Sequence, residues 1–247
     1  MYTSSKGIDY WASVHCTSVL IEKINKKRVL TNKMPSKGIV VEDEELSVAK
    51  SKKANIELFV KLMSNNSLRP LAKNLIEDMY KYEFDNSSSV DFNIENFDDN
   101  IKLKQLAAIS LLEHSYGVFN IMKKIIDKKF GLYSDFFFIA SLAHDSGKSH
   151  KLKEAIVIDL DISHHIASSQ YLKKIVYQDN LISPYYKSLF EVVCDVFEAH
   201  HTKVSESLFY GVKKEEDNKE LQILIMKYLK QADSKQRERE LRMINDI

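Results

Sequence analysis

An all-α fold follows from three features of the sequence. Glycine and proline are scarce, at 6 and 3 in 247 residues, whereas sheet-rich chains use many of both in turns. The long stretches free of either are rich in Leu, Ile, Lys and Glu, which favour helix. Apolar residues recur in them at three- and four-residue intervals, the spacing of one helix face.

The elements follow in order. Ile8, Trp11, Val14, Val19, Leu20 and Ile24 give a loose helical pattern over residues 8–30, closed by Met34-Pro35-Ser36-Lys37-Gly38. A second pattern starts near Asp43 and carries Leu46, Val48, Ile56, Phe59, Val60 and Leu62. Asn65-Asn66-Ser67 and Pro70 break it, and Leu71 to Tyr82 resumes it. Between Tyr82 and Ile101 there is no Lys or Arg, but six acidic residues and the run Ser87-Ser88-Ser89. This stretch reads either as a linker between domains or as a long surface loop within one. Five further helical patterns follow: about Leu103–Lys129, Ser134–Asp145, Ile162–Val176, Tyr185–His201 and Lys219–Met243. Ser134–Asp145 is apolar almost all round, which predicts a buried central helix. The expected division is a helical N-terminal region of unknown role over 1–82, an acidic linker or loop over 83–101, and a helical domain over 102–247.

Composition narrows the function. Lys plus Arg total 36 against 35 for Asp plus Glu, so no global basic field argues for nucleic acid or membrane. Two cysteines, Cys16 and Cys194, make neither a disulfide framework nor a cysteine zinc site. The longest apolar run, Phe136 to Ala143, is too short to span a bilayer, and no secretory signal is visible. The expected location is the cytoplasm, with no membrane partner.

The histidines carry the chemistry. Seven of the eight lie after residue 113, most within apolar helical patterns where an unpaired imidazole is unwelcome. His114 shares a stripe with Leu111, Val118, Ile121 and Ile125. His144 and Asp145 end the buried helix. His165 shares a stripe with Ile162, Ser169, Leu172 and Val176, and is preferred over His164 because that stripe is the more apolar. His200 and His201 close a helix whose inner face carries Val193 and Phe197. Asp233 continues the stripe of Leu221, Ile225 and Leu229. Five apolar faces thus each deliver a His or Asp toward the core. Hydrogen bonds alone would struggle to satisfy so many, whereas a bound cation turns neutral imidazoles and carboxylates into ligands.

The order His114, His144-Asp145, His165, His200-His201, Asp233 resembles the HD superfamily of metal-dependent phosphohydrolases. Ala143-His144-Asp145-Ser146-Gly147-Lys148 looks like that family's HDxGK signature, and the resemblance covers about residues 103–243. It implies an HD-type helical bundle with a helical N-terminal extension. The extra His165 and His200-His201 resemble the two-metal branch, which includes HD-GYP phosphodiesterases, CRISPR-associated HD nucleases and MobH-type conjugative relaxases. Carried over, one divalent ion sits on His114, His144, Asp145 and Asp233. The other sits on Asp145, His165, His200 and His201, with Asp145 bridging. Such a pair activates a water and clamps phosphoryl oxygens. Lys148 then sits where its charge steadies the phosphate. Mixed His and carboxylate ligands suit Mn, Fe, Ni, Co or Zn alike.

The expected activity is hydrolysis of a nucleotide or nucleic-acid phosphoester through a metal-activated water, with Asp145 and Lys148 central. Two alternatives stand beside it. One is a MobH-type nickase acting on DNA, for which Ala232-Asp233-Ser234 and the charged segment from Lys235 to Leu241 are the similar stretch. The other is a non-catalytic HD module that binds a ligand or partner. No GYP-like sequence follows His201, no ED pair follows the HD, and no phosphate-binding G-x-x-x-x-G-K-[ST] loop occurs. Several residues read more simply: Cys194 as an inert core thiol, His150 as a solvated loop histidine, and Arg237 and Glu240 as parts of a solvated helix face.

Overall fold

The computed structural model describes residues 45–90, 101–126, 130–156, 161–199 and 216–245. The helical pattern read over residues 8–30 lies outside them, as do His200 and His201. The regular elements among the described residues are helices, and the one extended pairing among them is an isolated bridge between Ser88 and Ser110.

The helices are α1 (Lys52–Leu62), α2 (Arg69–Lys81), α3 (Ile101–Leu106), α4 (Leu111–Ile126), α5 (Ser134–Ala143), α6 (His150–Ile156), α7 (His164–Gln178), α8 (Pro184–Ala199) and α9 (Glu216–Asn245). The pattern from Asp43 yields helix only from Lys52. Ser51 stops it earlier by capping α1, its Oγ accepting from Ala54 N at 3.2 Å. Before the cap, Leu46 is hooked to α4. Its N–H donates to Asn120 Oδ1 at 3.0 Å, and its carbonyl accepts from Asn120 Nδ2 at 2.8 Å.

The single pattern expected over Leu103–Lys129 is split into α3 and α4. The reason is non-local. Leu111 N donates to Ser87 O, Leu112 N to Phe84 O and Ser89 N to Ile109 O, at 2.6, 3.0 and 2.9 Å. The serine-rich segment thus takes up the first amides of α4, which have no partner inside their own helix. The short α6 has too few residues to show a period, and sequence reading missed it.

All ten residues of α5 are buried, as its all-round apolarity requires. Around it α4, α8 and α9 pack directly, α7 packs on α8, and α1 and α2 pair with each other. One apolar core joins Leu46, Phe59 and Leu75 to Phe119, Phe136, Phe190 and Leu229. Edge-on aromatic pairs tie α1 to α4 (Phe59 and Phe119, centroids 5.3 Å apart) and α4 to α5 (Phe119 and Phe138, 5.6 Å). The one charged residue inside α5 is hydrogen-bonded. Asp135 accepts from Ser64 N at 3.0 Å and Asn65 N at 2.8 Å, although burial pushes its carboxyl above the usual range.

Cys194 is fully buried on α8, and burial pushes its thiol up to about 12. Only a thiolate is nucleophilic. Native protein at pH 8 is therefore expected to leave Cys194 unmodified by a disulfide reagent over hours, and denatured protein to react within minutes. Peptide mapping of the labelled thiol checks this.

Candidate metal centre

The centre forms where α5 stops. His144 caps α5, its N–H still bonded to Ala140 O. Its Nδ1 lies 3.0 Å from Ser141 O. A carbonyl only accepts, so Nδ1 carries the proton and Nε2 presents its lone pair outward from the helix end. Asp145 follows, and residues 146–148 form one tight 3-10 turn.

Gly147 fixes what that turn meets. A Cβ on Gly147 would stand 2.0 Å from the carbonyl oxygen of His164, and Gly147 N donates to Ser168 Oγ at 2.9 Å. The missing side chain lets the start of α7 lie directly on the turn, which carries His164 to Asp145.

The distances converge on one carboxylate. Asp145 Oδ2 faces His114 Nε2 and His144 Nε2, both at 3.5 Å, and accepts from Lys148 Nζ at 2.6 Å. Arg237 Nη2 approaches the same oxygen to 4.0 Å. The other oxygen, Oδ1, faces His164 Nε2 at 3.6 Å. Asp233 Oδ1, from α9, lies 3.2 Å from His114 Nε2. Ligand atoms of His114, His144 and Asp233 all fall within 4.8 Å of one another. Chain segments more than a hundred residues apart thus meet at one point.

Burial is graded. His114 and His144 are fully buried and Asp145 is 2% exposed, whereas the side chains of Asp233, Arg237 and His164 keep 25%, 22% and 12%. The centre therefore opens to solvent along these three residues.

The charges are strongly perturbed. Burial alone would raise Asp145, but Lys148 and the surrounding histidines outweigh it and hold the carboxyl well below its usual range. Asp233 is likewise held low against burial, by His114 and His144. Burial would neutralise His114, yet the carboxylates of Asp145, Asp233 and Glu240 outweigh it, and the imidazole is pushed up to about 9. His144 goes the other way, because burial dominates. Two ionised carboxylates beside a neutral imidazole form a donor set that divalent cations prefer.

Not every residue expected at the site arrives there. His165 turns instead to Ser163, Nε2 to Oγ at 3.1 Å, and His164 takes the place beside Asp145. The buried face of α7 is broad, spanning Ala167, Ser168, Ser169, Tyr171, Leu172 and Val176. Apolarity therefore does not separate the two histidines, and the contact with Gly147 does. Lys148 reaches Asp145 and also donates to Ser89 O at 3.0 Å.

Two residues read as a solvated helix face prove integral. Arg237 donates from Nη1 to Ser89 Oγ at 2.8 Å and from Nη2 to Ser89 O at 2.5 Å. Glu240, 1% exposed, meets His114 Nδ1 at 2.8 Å. Burial would raise its carboxyl, but the bond and charge of His114 and the charge of Arg237 outweigh it and hold Glu240 below the usual range. The signal was present in the sequence: the stripe Ile225, Leu229, Ala232 runs on to Gln236 and Glu240 at the same three- and four-residue steps.

These residues fit a divalent ion on two counts. The donor set mixes imidazole and carboxylate. His114 Nε2 and Asp233 Oδ1 are also buried, face each other, and lack the alignment of a hydrogen bond. A buried polar pair left in that state is costly unless something bridges it.

The model of the HD domain matches residues 111–238, more than half of the chain and the span from α4 to beyond Asp233. The chain belongs to the HD-domain family, whose members are mostly metal-dependent hydrolases. No curated protein and no solved structure matches it.

Proposed function

We propose that the protein hydrolyses a phosphoester of a nucleotide or nucleic acid, using a divalent ion held by His114, His144, Asp145 and Asp233. The observation that carries this reading is the meeting of these side chains, from α4, the end of α5 and α9, at one buried point that opens to solvent on one side. When bound, such an ion supplies an activated water and draws charge from phosphoryl oxygens.

The chain's own groups do the rest. His144 is held in one tautomer by Ser141, so its Nε2 is ready to ligate. Lys148 pairs with Asp145 from the buried side and Arg237 flanks it on the open side, and their charges would bind and orient an anionic phosphoryl group. Apolar packing around α5 keeps bulk water from the inner side. A second ion is part of the proposal. Asp145 turns one oxygen to His114 and His144 and the other to His164, as a bridging carboxylate does. His164, rather than His165, is the histidine proposed for that second ion; His200 and His201, which the sequence also offers to it, lie outside the described residues.

The test is metal uptake together with turnover. Protein stripped with chelator is expected to bind Mn²⁺ or Co²⁺ stoichiometrically and to cleave bis(p-nitrophenyl) phosphate or a nucleotide phosphoester only when reloaded. Tight metal binding without turnover of any phosphoester would reduce the protein to a binding module.

Binding must also exchange a proton for the ion. With His114 pushed up to about 9, the metal-free imidazole is protonated at pH 7.5 and must lose its Nε2 proton to ligate. One proton is therefore expected to leave per ion bound. Affinity should rise about tenfold per pH unit up to about pH 9 and flatten above. Calorimetry in two buffers of different ionisation enthalpy reads the proton directly.

A further inference from the structure

We infer that Glu240 is a positioning residue for this centre: its buried carboxylate fixes the proton of His114 on Nδ1 and so aims the Nε2 lone pair at the metal position. The inference rests on the ligand set proposed above and extends it by one residue. Glu240 lies just past the segment that the family model matches.

The geometry is complete on every side of the carboxylate. Oε1 lies 2.8 Å from His114 Nδ1 and accepts from Gln236 Nε2 at 3.0 Å. Oε2 accepts from Arg237 Nη1 at 2.9 Å. With donors on both oxygens, Glu240 serves only as an acceptor toward the imidazole, so Nδ1 must donate. The opposite ring nitrogen is then the one facing Asp145 and Asp233. A carboxylate behind a metal-bound histidine locks its tautomer and orientation and makes it a stronger donor.

The support extends one layer further. Gly117, one turn after His114 on α4, has no side chain where Gln236 lies. A Cβ there would be 2.2 to 2.4 Å from the Gln236 amide group. The bare backbone lets α9 close on α4, so that Gln236 reaches Glu240 and Glu240 reaches His114. Among the proposed ligands Glu240 touches His114, and its other oxygen holds Arg237.

The experiment compares wild type with Glu240→Gln, which keeps the shape and removes the charge. Metal-free protein is titrated with Co²⁺ and followed by its visible absorption. Zinc-loaded protein is examined by nitrogen-15 NMR of the imidazole rings. Wild type is expected to show His114 protonated at Nδ1, and E240Q to bind Co²⁺ about 10- to 100-fold more weakly. The melting of metal-free protein is measured beside it, so that loss of fold is separated from loss of affinity. Should E240Q not fold, Gln236→Met carries the test, because it leaves Glu240 charged but loosens it. That variant is expected to bind Co²⁺ several-fold more weakly. Wild-type affinity in the folded variant, or a zinc-bound His114 with its proton on Nε2, overturns the inference and leaves the ligand set standing. Failure of wild type itself to take up Co²⁺ overturns the ligand set and this inference with it.

Discussion

Asp145→Asn is expected to abolish stoichiometric metal binding and to lower phosphoester turnover at least about a thousandfold. The carboxylate touches more of the centre than any other group: His114, His144 and Lys148 on one oxygen and His164 on the other. The amide keeps its shape but loses the charge that attracts a cation. The change also removes the counter-charge of Lys148, whose side chain is only 8% exposed. Breaking such a pair from one side costs about 3–5 kcal/mol, so the variant should also melt earlier. The double variant Asp145→Asn with Lys148→Met separates the two effects. It is expected to regain much of the stability and none of the metal. Metal content, turnover and melting of the three proteins decide the matter, and an Asp145→Asn protein with full metal and full turnover would remove Asp145 from the centre.

The second large effect is mechanical. Gly147→Ala puts a methyl group where the His164 carbonyl now lies, 2.0 Å from the new Cβ. Backbone cannot rotate aside as a side chain can, so α7 must lift from the turn. The expected loss is about 3 kcal/mol, or roughly 6–12 °C in melting temperature for a chain of this size. His164 should leave Asp145 with it. Gly131 supplies the control. It has a positive φ of 55° but nothing within 4 Å of an added Cβ, so Gly131→Ala should cost about 1 kcal/mol from backbone strain alone. Equal losses in the two variants would show that the contact with α7 carries no weight.

Much of this architecture was legible in the sequence, and the legible parts were local. α5 declared itself by apolarity on every side, and the stripe of His114 is buried as its spacing requires. The resemblance to the HD family was carried by a signature six residues long plus the order of ligand-type residues, and the family match over residues 111–238 bears it out. What was not legible depended on contacts between distant segments. The break between α3 and α4 is imposed by Ser87 and Phe84, and no local propensity encodes it. The choice between His164 and His165 turns on a glycine seventeen residues earlier. Arg237 and Glu240 alternate with other charges along α9, which disguised a buried pair as a solvated face. Their three- and four-residue step from Leu229 was a signal that charge patterning masked.

The serine-rich segment before α3 has a consequence for how small a working unit can be. The carbonyl of Ser89 receives Lys148 and Arg237 together, and the hydroxyl of the same residue receives Arg237 again. A fragment trimmed to begin at α3 would keep every ligand proposed here yet strip both cations of their shared anchor. Arg237, now 4.0 Å from Asp145 Oδ2, would be released to close on that oxygen beside Lys148 and compete with an incoming ion for it. Residues 87–89 thus act as a buttress that holds Arg237 back from a carboxylate Lys148 already pairs with.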